Sequence, residues 1–487
     1  MKICNLPPDA PAMMWATRAI GYTTEAAVAD LIDNSVTAEA GAIQIKFSSF
    51  ENGYISILDD GNGLTNAELK LAMKYGSANP LEERSDLDLG RFGLGLKTAS
   101  LSQCRQLTVA SKKNNIVSAF RWDLDYVMYT AKDWTLLELE ESDILDIPQI
   151  DKLTQQSEGT LILWRNLDKI CAGQEDKEEG LQIKVCDVMD HLALTFHRYL
   201  QGEQGLKKLS IICNGNELQP KDPFFVAKST RMFAEPVTLK VKKGVTEIQE
   251  QIIITPYILP FPDMLTQQEI DTLGGKDGLI KNQGFYIYRN KRLIVAADWF
   301  KLARKTDLTK LCRVRVDIPN SMDEEWTLDV KKSTAIPPSI IVQNLKRIIS
   351  KILNKGKRTY RFRAKKETSS NIKLWVAGET RNGVVYTINR NYPLIATLLR
   401  KMDDDKTLDI VLKLVEQNIP LNTIHSDFHD DKKFAYDDCE VAENNILQQL
   451  KELMAQVEEK DKRETFDMLM TMSPFDAYEI LYEEVDK

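Results

Sequence analysis

The chain has 487 residues, 28% charged and 43% hydrophobic, with a formal net charge of −8. These are ordinary values for a soluble globular protein; they argue against one that coats DNA with general positive charge, and no apolar run approaches the roughly 20 residues of a membrane span. The length predicts two to four domains with sizeable cores.

Seven cysteines, odd in number and without a CxxC pair, predict reduced thiols in a cytoplasmic protein, most of them buried as small hydrophobes. The opening MKICNLPPDAPAMMWATRAIGY lacks a basic stretch followed by an apolar core, so it does not read as a secretory signal. His425 and His429 stand four apart in HSDFHDD, but the stretch is strongly polar and has no third ligand of the usual kind nearby. It reads as solvated surface rather than a metal site.

In chain order, TTEAAVADLIDNSVTAEA (Thr23 to Ala40) predicts an amphipathic helix, capped by Thr23 or Thr24, with Glu25 at the positive end of its dipole. Ala27, Val28, Leu31, Ile32 and Ser35 recur at helical spacing and form the side to be buried. Asp30, Asn34 and Thr37 fall on another stripe. A solvated face would look the same. A carboxylate one turn before a carboxamide also suits an activated water beside a hydrated magnesium ion, which prefers oxygen ligands and keeps several waters.

IQIKF and YISIL, separated by ENG, predict a β-hairpin whose second strand runs into Asp59, Asp60, Gly61, Asn62 and Gly63. A carboxylate at a strand end can accept from a ligand NH2, while bare backbone beyond it admits a flat ring. A plain turn also reads DDGNG. After a helix (NAELKLAMKYG) and a polar loop (SANPLEERSDLD) comes LGRFGLGLKTAS, Leu89 to Ser100. Its Gly90, Gly93 and Gly95, followed by Lys97, Thr98 and Ser100, suit a phosphate held by bare backbone, a cation and the start of a helix. A tight turn without ligand would read alike. No GxxxxGK[ST] run occurs, so it is not a Walker loop. QLTVASKK and IVSAFRW predict strands, and SEGTLILWRNL a further one entered through Gly159 and Thr160.

Four elements thus stand in fixed order over about 140 residues: DLIDNS on a helix, DxGxG after a strand, GxxGxG before a helix, and GT opening a strand. Each is weak singly, but the ordered set is specific. It resembles the Bergerat ATP-binding fold of the GHKL superfamily, which includes gyrase, the ninety-kilodalton heat-shock chaperone, histidine kinases and MutL, with MORC ATPases the nearest. The resemblance implies an α+β chain built on an α/β-sandwich ATPase domain that binds ATP and Mg2+. It implies that Asn34 binds magnesium, that Asp59 reads the adenine amino group, and that Gly61 and Gly63 floor the adenine pocket. It implies a lid, Gly90 to Ser100, in which Gly90, Gly93, Leu94, Gly95, Lys97 and Thr98 wrap the phosphates, and Thr160 on the adenine side. The family's general base is usually a glutamate four residues before the asparagine; here that position is Asp30, one methylene shorter, which implies slow hydrolysis. Glu25, nine positions before Asn34, lies nearly half a turn round the helix and does not substitute easily.

Farther on, VTLKVKK, QIIITPYIL, GFYIYRNKRLIV and CRVRVDIP predict strands, and SIIVQNLKRIISKILN a helix. The expected organisation is an ATP-binding domain over 1–200, a transducer-like α+β domain over 201–355 and a mostly helical region over 356–487. YIYRNKRLIV resembles the transducer of MutL and MORC, in which a lysine returns to the γ-phosphate; in WTLDVKKSTA the resemblance favours Lys332, with Lys331 in reserve. Without it, the pair reads as an exposed KK. KGKRTYRFRAKK (Lys355 to Lys366) holds seven basic residues in twelve with Tyr360 and Phe362 between them, a pattern for nucleic-acid backbone and stacked bases, or for a solvated linker.

The expectation that follows is a slow MORC-like ATPase. ATP closes the lid and pairs two N-terminal halves, and the clamp works on DNA with operon-encoded nuclease or helicase-like partners in bacterial antiphage defence. The alternative is a chaperone ATPase of the ninety-kilodalton class handling protein clients. A histidine kinase fits less well, since no histidine precedes His191, and so does MutL, whose lid reads GFRGEA where this one reads FGLGLKTAS.

Overall fold

A computed structural model describes residues 8–19, 21–49, 53–76, 95–170, 177–243, 246–322, 326, 337–338 and 341–352, and, further along, 374–380, 383–392, 395–396, 398–399, 405–420, 448, 450–452, 454 and 462–470. By contact the chain divides into one compact unit over Met1–Gly356 and another over Lys357–Lys487.

Within the first unit an eight-stranded sheet carries the predicted motifs. Its strands are β1 (Ala42–Ser48), β2 (Tyr54–Asp59), β3 (Gln106–Lys113), β4 (Ile116–Asp123), β5 (Leu137–Glu138), β6 (Gly159–Arg165), β7 (Ser210–Cys213) and β8 (Asn216–Glu217), in the spatial order β5-β4-β3-β6-β2-β1-β7-β8. All neighbours are antiparallel except β1 and β7. The expected boundary at residue 200 therefore falls short of this sheet, because β7 and β8 complete its edge.

The helices are α1 (Ala10–Arg18), α2 (Thr24–Thr37), α3 (Asn66–Met73), α4 (Gly95–Gln103), α5 (Glu141–Leu145), α6 (Ile150–Gln155), α7 (Lys177–Thr195) and α8 (His197–Gln201). The alternation of IQIKF puts Ile43, Ile45 and Phe47 on one face of β1, where they pack with Ala27, Val28, Leu31 and Ile32 of α2 and Leu101 of α4. The opposite face collects Leu58, Ala110, Leu161 and Leu163 against Ile150 and Leu153 of α6. Burying a Leu or Ile side chain stabilises by about 1.5–3 kcal/mol, so these two layers supply the drive that fixes the sheet.

A second sheet lies in the same unit. It comprises β9 (Thr230–Arg231), β10 (Glu235–Lys243), β11 (Thr246–Ile258), β12 (Gly284–Arg289), β13 (Arg292–Asp298) and β14 (Cys312–Ile318), ordered β10-β11-β14-β12-β13 with β9 also on β11. One face buries Ile252, Ile254, Val314 and Val316 against Trp326 and against Ile341, Leu345 and Ile348 of a helix over 341–352. The other packs Tyr257, Tyr286 and Tyr288 around Phe224, with Leu194 of α7 at its margin. In the unit Lys357–Lys487 the described elements include a two-stranded hairpin, Trp375–Thr380 with Gly383–Ile388, and helices Asp405–Gln417 and Lys462–Leu469. Among the described residues no helix is long and apolar enough to cross a membrane.

Candidate active site

Asp30 and Asn34 come from α2, whose N-terminus is capped by Thr23, the side chain accepting from the Ala26 amide at 3.3 Å. One helical turn separates the two residues, yet their settings differ: Asp30 is 3% exposed and Asn34 stands in solvent. Residues four apart share a helix face, so the difference comes from what covers each: Tyr22, the start of α4 and Arg292 close over Asp30. Tyr22 donates its hydroxyl to Asp30 Oδ2 at 2.9 Å. A Cβ added to Gly95, at the start of α4, would lie 3.9 Å from that same oxygen. The last glycine of the predicted lid is therefore beside the predicted base.

Asp59 sits where β2 ends. It is 4% exposed and accepts three hydrogen bonds: from Ser35 Oγ to Oδ2 at 2.7 Å, and from the amides of Gly61 (3.0 Å) and Thr160 (3.2 Å) to Oδ1. Burial raises its pKa above the ordinary value, and the three donors oppose that rise. The strand registers place Thr160 opposite both Asp59 and Ser111, so one row crosses β2, β6 and β3. Ser111 accepts from the Leu64 amide at 2.8 Å and shares a hydrogen bond with Thr160 Oγ1 at 2.9 Å. Asp59, Thr160 and Ser111 thus form a polar strip across three neighbouring strands.

The glycines beside the strip have steric reasons to be there. Gly63 has φ +56°, and a Cβ on it would meet the Lys112 carbonyl oxygen at 2.1 Å. At Gly61 a Cβ would come within 2.8 Å of the Ala38 carbonyl, where α2 ends. The DxGxG turn is pressed between the end of α2 and the start of β6, and side chains have no room on its inner surface.

Lys97 and Thr98 lie in the first turn of α4, each 1% exposed. Lys97 Nζ donates to the Ala72 carbonyl of α3 at 2.8 Å, and burial pulls its pKa down to about 8. The far end of α4 is tied to the start of α2: Thr24 Oγ1 donates to Gln103 Oε1 at 2.9 Å, and Gln103 Nε2 donates to the Tyr22 carbonyl at 3.0 Å. Gly90, Gly93, Leu94, Lys331 and Lys332 lie outside the described residues, as does the basic run 355–366.

The structure gathers Asp59, Gly61, Gly63 and Thr160 at the end of β2 and the start of β6, with Ser35 of α2 bonded to Asp59, and it sets Gly95 beside Asp30 in the middle of the same helix, one turn before Asn34. It adds residues that sequence reasoning left out of the site. Ser35 read only as part of the apolar side of its helix. Ser111 sits in a strand with no motif. Asp33, fully buried, receives Arg292 Nε of β13 at 3.1 Å. Asp59 thus offers a buried acceptor beside bare glycine backbone, and Asp30 a second buried carboxylate next to the start of α4, with the exposed Asn34 carboxamide one turn farther along α2.

Residues 22–160 match the family described as Histidine kinase-, DNA gyrase B-, and HSP90-like ATPase. Over 94 residues the chain is 31% identical to ATPase morc-1 of Caenorhabditis elegans, which covers 19% of this chain and 11% of that protein. Over 111 residues it is 33% identical to DNA mismatch repair protein MutL of Leptospira biflexa serovar Patoc, covering 22% of this chain and 18% of that one. Over 95 residues it is 30% identical to MutL of Rickettsia africae, covering 19% and 16% respectively. The chain thus spans less than a fifth of the length of each of these relatives.

Proposed function

We propose, from a chain whose residues 22–160 are a GHKL-type ATPase domain, that the protein binds Mg-ATP and hydrolyses it slowly to open and close a clamp. The observation that carries this reading is the buried Asp59 carboxylate, held by Ser35 of α2, Gly61 and Thr160, on the same helix whose Asp30 stands beside Gly95.

In this reading Asp59 Oδ2 accepts from the adenine amino group and Gly61 and Gly63 let the ring lie against bare backbone. Gly90, Gly93, Leu94, Gly95, Lys97 and Thr98 close over the phosphates, and α4 turns its N-terminus toward them. Asn34 suits magnesium as a single oxygen donor: its carboxamide is exposed and one turn from Asp30, and the described residues contain no group of three or more His, Cys, Asp or Glu side chains able to cage a metal. Asn34 would hold the ion through one oxygen, leaving its other positions to water and phosphate, and bound magnesium would neutralise phosphate charge there. Asp30 accepts a proton from the attacking water and orients it; Lys332, or Lys331, reaches the γ-phosphate, and the lid amides with it stabilise the developing charge.

Clamp closure by nucleotide-dependent pairing of two N-terminal halves follows from the same family. DNA as the clamp's cargo is supported by the names of the MutL relatives and by the basic run 355–366. Nuclease or helicase-like partners and a setting in bacterial antiphage defence follow from the resemblance to stand-alone MORC-like chains. A reducing, cytoplasmic compartment is supported by Cys104, Cys213 and Cys312, all buried free thiols.

Steady-state phosphate release tests the reading. Asp30→Asn should abolish turnover while Mg-ATP still binds, because the amide keeps the size of the side chain and loses the proton acceptor. Unchanged turnover in Asp30→Asn would remove Asp30 from the role of base.

A further inference from the structure

The second sheet sends one arginine into the ATPase domain. Strands β12 and β13 pair with Arg289 opposite Arg292, so the hairpin loop is Asn290 and Lys291 alone. Both take left-handed backbone, with φ +47° and +65°. A two-residue turn of that hand suits hairpin twist, but lysine there is strained, and such strain persists when surroundings fix it. Here they do: Tyr199 donates its hydroxyl to the Asn290 carbonyl at 2.6 Å, and Lys291 Nζ donates to the Gln204 carbonyl at 2.9 Å. The next residue, Arg292, is thereby aimed at α2. Its guanidinium lies 5.9 Å from the Phe196 ring centre, its Nε 3.1 Å from Asp33 Oδ1, and its Nη2 3.7 Å from Asp30 Oδ1.

All three charged groups are buried, with Arg292, Asp30 and Asp33 exposed by 4%, 3% and 0%. Two carboxylates one turn apart share a single guanidinium, and only a planar fork reaches both at once. For Asp30 the result is a fixed orientation: Tyr22 Oη holds Oδ2 and Arg292 faces Oδ1. A short aspartate standing where a longer base is usual gains most from such bracing, since a water misplaced by about 1 Å costs up to a hundredfold in rate.

We propose that Arg292 is a positioning residue for Asp30, and that through it the β12–β13 hairpin makes ATP turnover depend on the docking of the second sheet against α2. The inference rests on Asp30 being the hydrolytic carboxylate. It differs from a purely structural ion pair, in which Arg292 only neutralises the buried Asp33.

The experiment compares full-length wild type, Asp33→Asn, the double variant Arg292→Gln with Asp33→Asn, and Arg292→Lys. The double variant leaves no lone charge at position 33, so what it loses beyond Asp33→Asn is the guanidinium's hold on Asp30. kcat and KM for Mg-ATP are measured with the Kd for Mg-AMPPNP. The proposal expects the double variant to fall about tenfold or more in kcat below Asp33→Asn, with Kd within about threefold. It expects Arg292→Lys, which keeps the charge but cannot span both carboxylates, to lose kcat likewise. Equal kcat in Asp33→Asn and the double variant, or full kcat in Arg292→Lys, overturns it. Wild type without turnover overturns the assignment of Asp30 as well, whereas turnover abolished by Asp30→Asn but untouched in both Arg292 variants overturns this inference alone.

Discussion

Replacing Asp59 by asparagine turns one carboxylate oxygen into an NH2 group and leaves the rest of the side chain in place. The backbone amides of Gly61 and Thr160 both donate to Oδ1, and an asparagine oxygen accepts from them equally well. Ser35 Oγ now donates to Oδ2; its hydroxyl can rotate to accept from the new NH2 instead. A buried charge disappears, and desolvation already opposed that charge. The fold should therefore change in stability by no more than about 1 kcal/mol. Adenine meets a different surface, since its amino group would face a donor where it had an acceptor. A hydrogen bond to a charged group contributes about 1.5–3 kcal/mol, and opposing two donors adds a desolvation cost, so about 3 kcal/mol is expected, or about a hundredfold in Kd. Calorimetric titration with Mg-AMPPNP reads the affinity and urea unfolding reads the fold. A Kd within threefold of wild type would refute the role of Asp59. A loss of several kcal/mol in unfolding free energy would refute the claim that Gly61, Thr160 and Ser35 hold this floor without the charge.

Lys97→Met should stabilise the nucleotide-free protein at pH 7 by about 1 kcal/mol: relieving a pKa of about 8 against 10.5 is worth about 3 kcal/mol, partly offset by losing the bond to Ala72. Wild-type stability should accordingly rise between pH 8 and 10.5, where the unfolded chain binds the extra proton, and the variant should lack that rise while binding ATP more weakly. Burial depresses His191 to about 4 and His197 to about 3 from 6.5. Between pH 6.5 and 4 the unfolded state binds more protons, so each histidine should lower stability by about 1.4 kcal/mol per pH unit as acid is added, and replacing both by glutamine should flatten the slope seen in urea titrations. Arg358→Glu with Arg361→Glu should weaken DNA binding and reduce its salt slope; an unaltered slope would remove that stretch from the DNA interface.

Much of the site could be read from local chemistry. Thr23 and Glu25 announce the start of α2, but the apolar spacing behind them puts Asp30 on a separate stripe with Asn34 and Thr37, and only the fold shows that Asp30 is covered. DDGNG marks a tight approach, and the steric reason appears only in the fold: the backbone of Lys112, far along the chain, occupies the place of a Gly63 side chain. Ser35 illustrates the limit of periodicity, which says that a position is covered but not that its hydroxyl is aimed at Asp59. Lys97 illustrates another limit. Its place in the first turn of α4 was legible, but the direction of its side chain, into the Ala72 carbonyl, depends on where α3 packs. The pairing of β1 with β7 and the reach of Arg292 to Asp33 join segments separated by more than 150 residues, and no local pattern encodes them. Such contacts arise from burying whole faces, which is why the edge of the first sheet ran past the boundary expected near residue 200.

The central claim, that the floor formed by Asp59 reads adenine in a nucleotide triphosphate, is tested most directly by titrating the full-length protein in magnesium buffer with ATP and with inosine triphosphate, which has a carbonyl in place of the amino group. One saturable ATP site per chain, with inosine triphosphate weaker by about a hundredfold, is the predicted result. Equal affinity for the two nucleotides, or no binding of ATP, would contradict it.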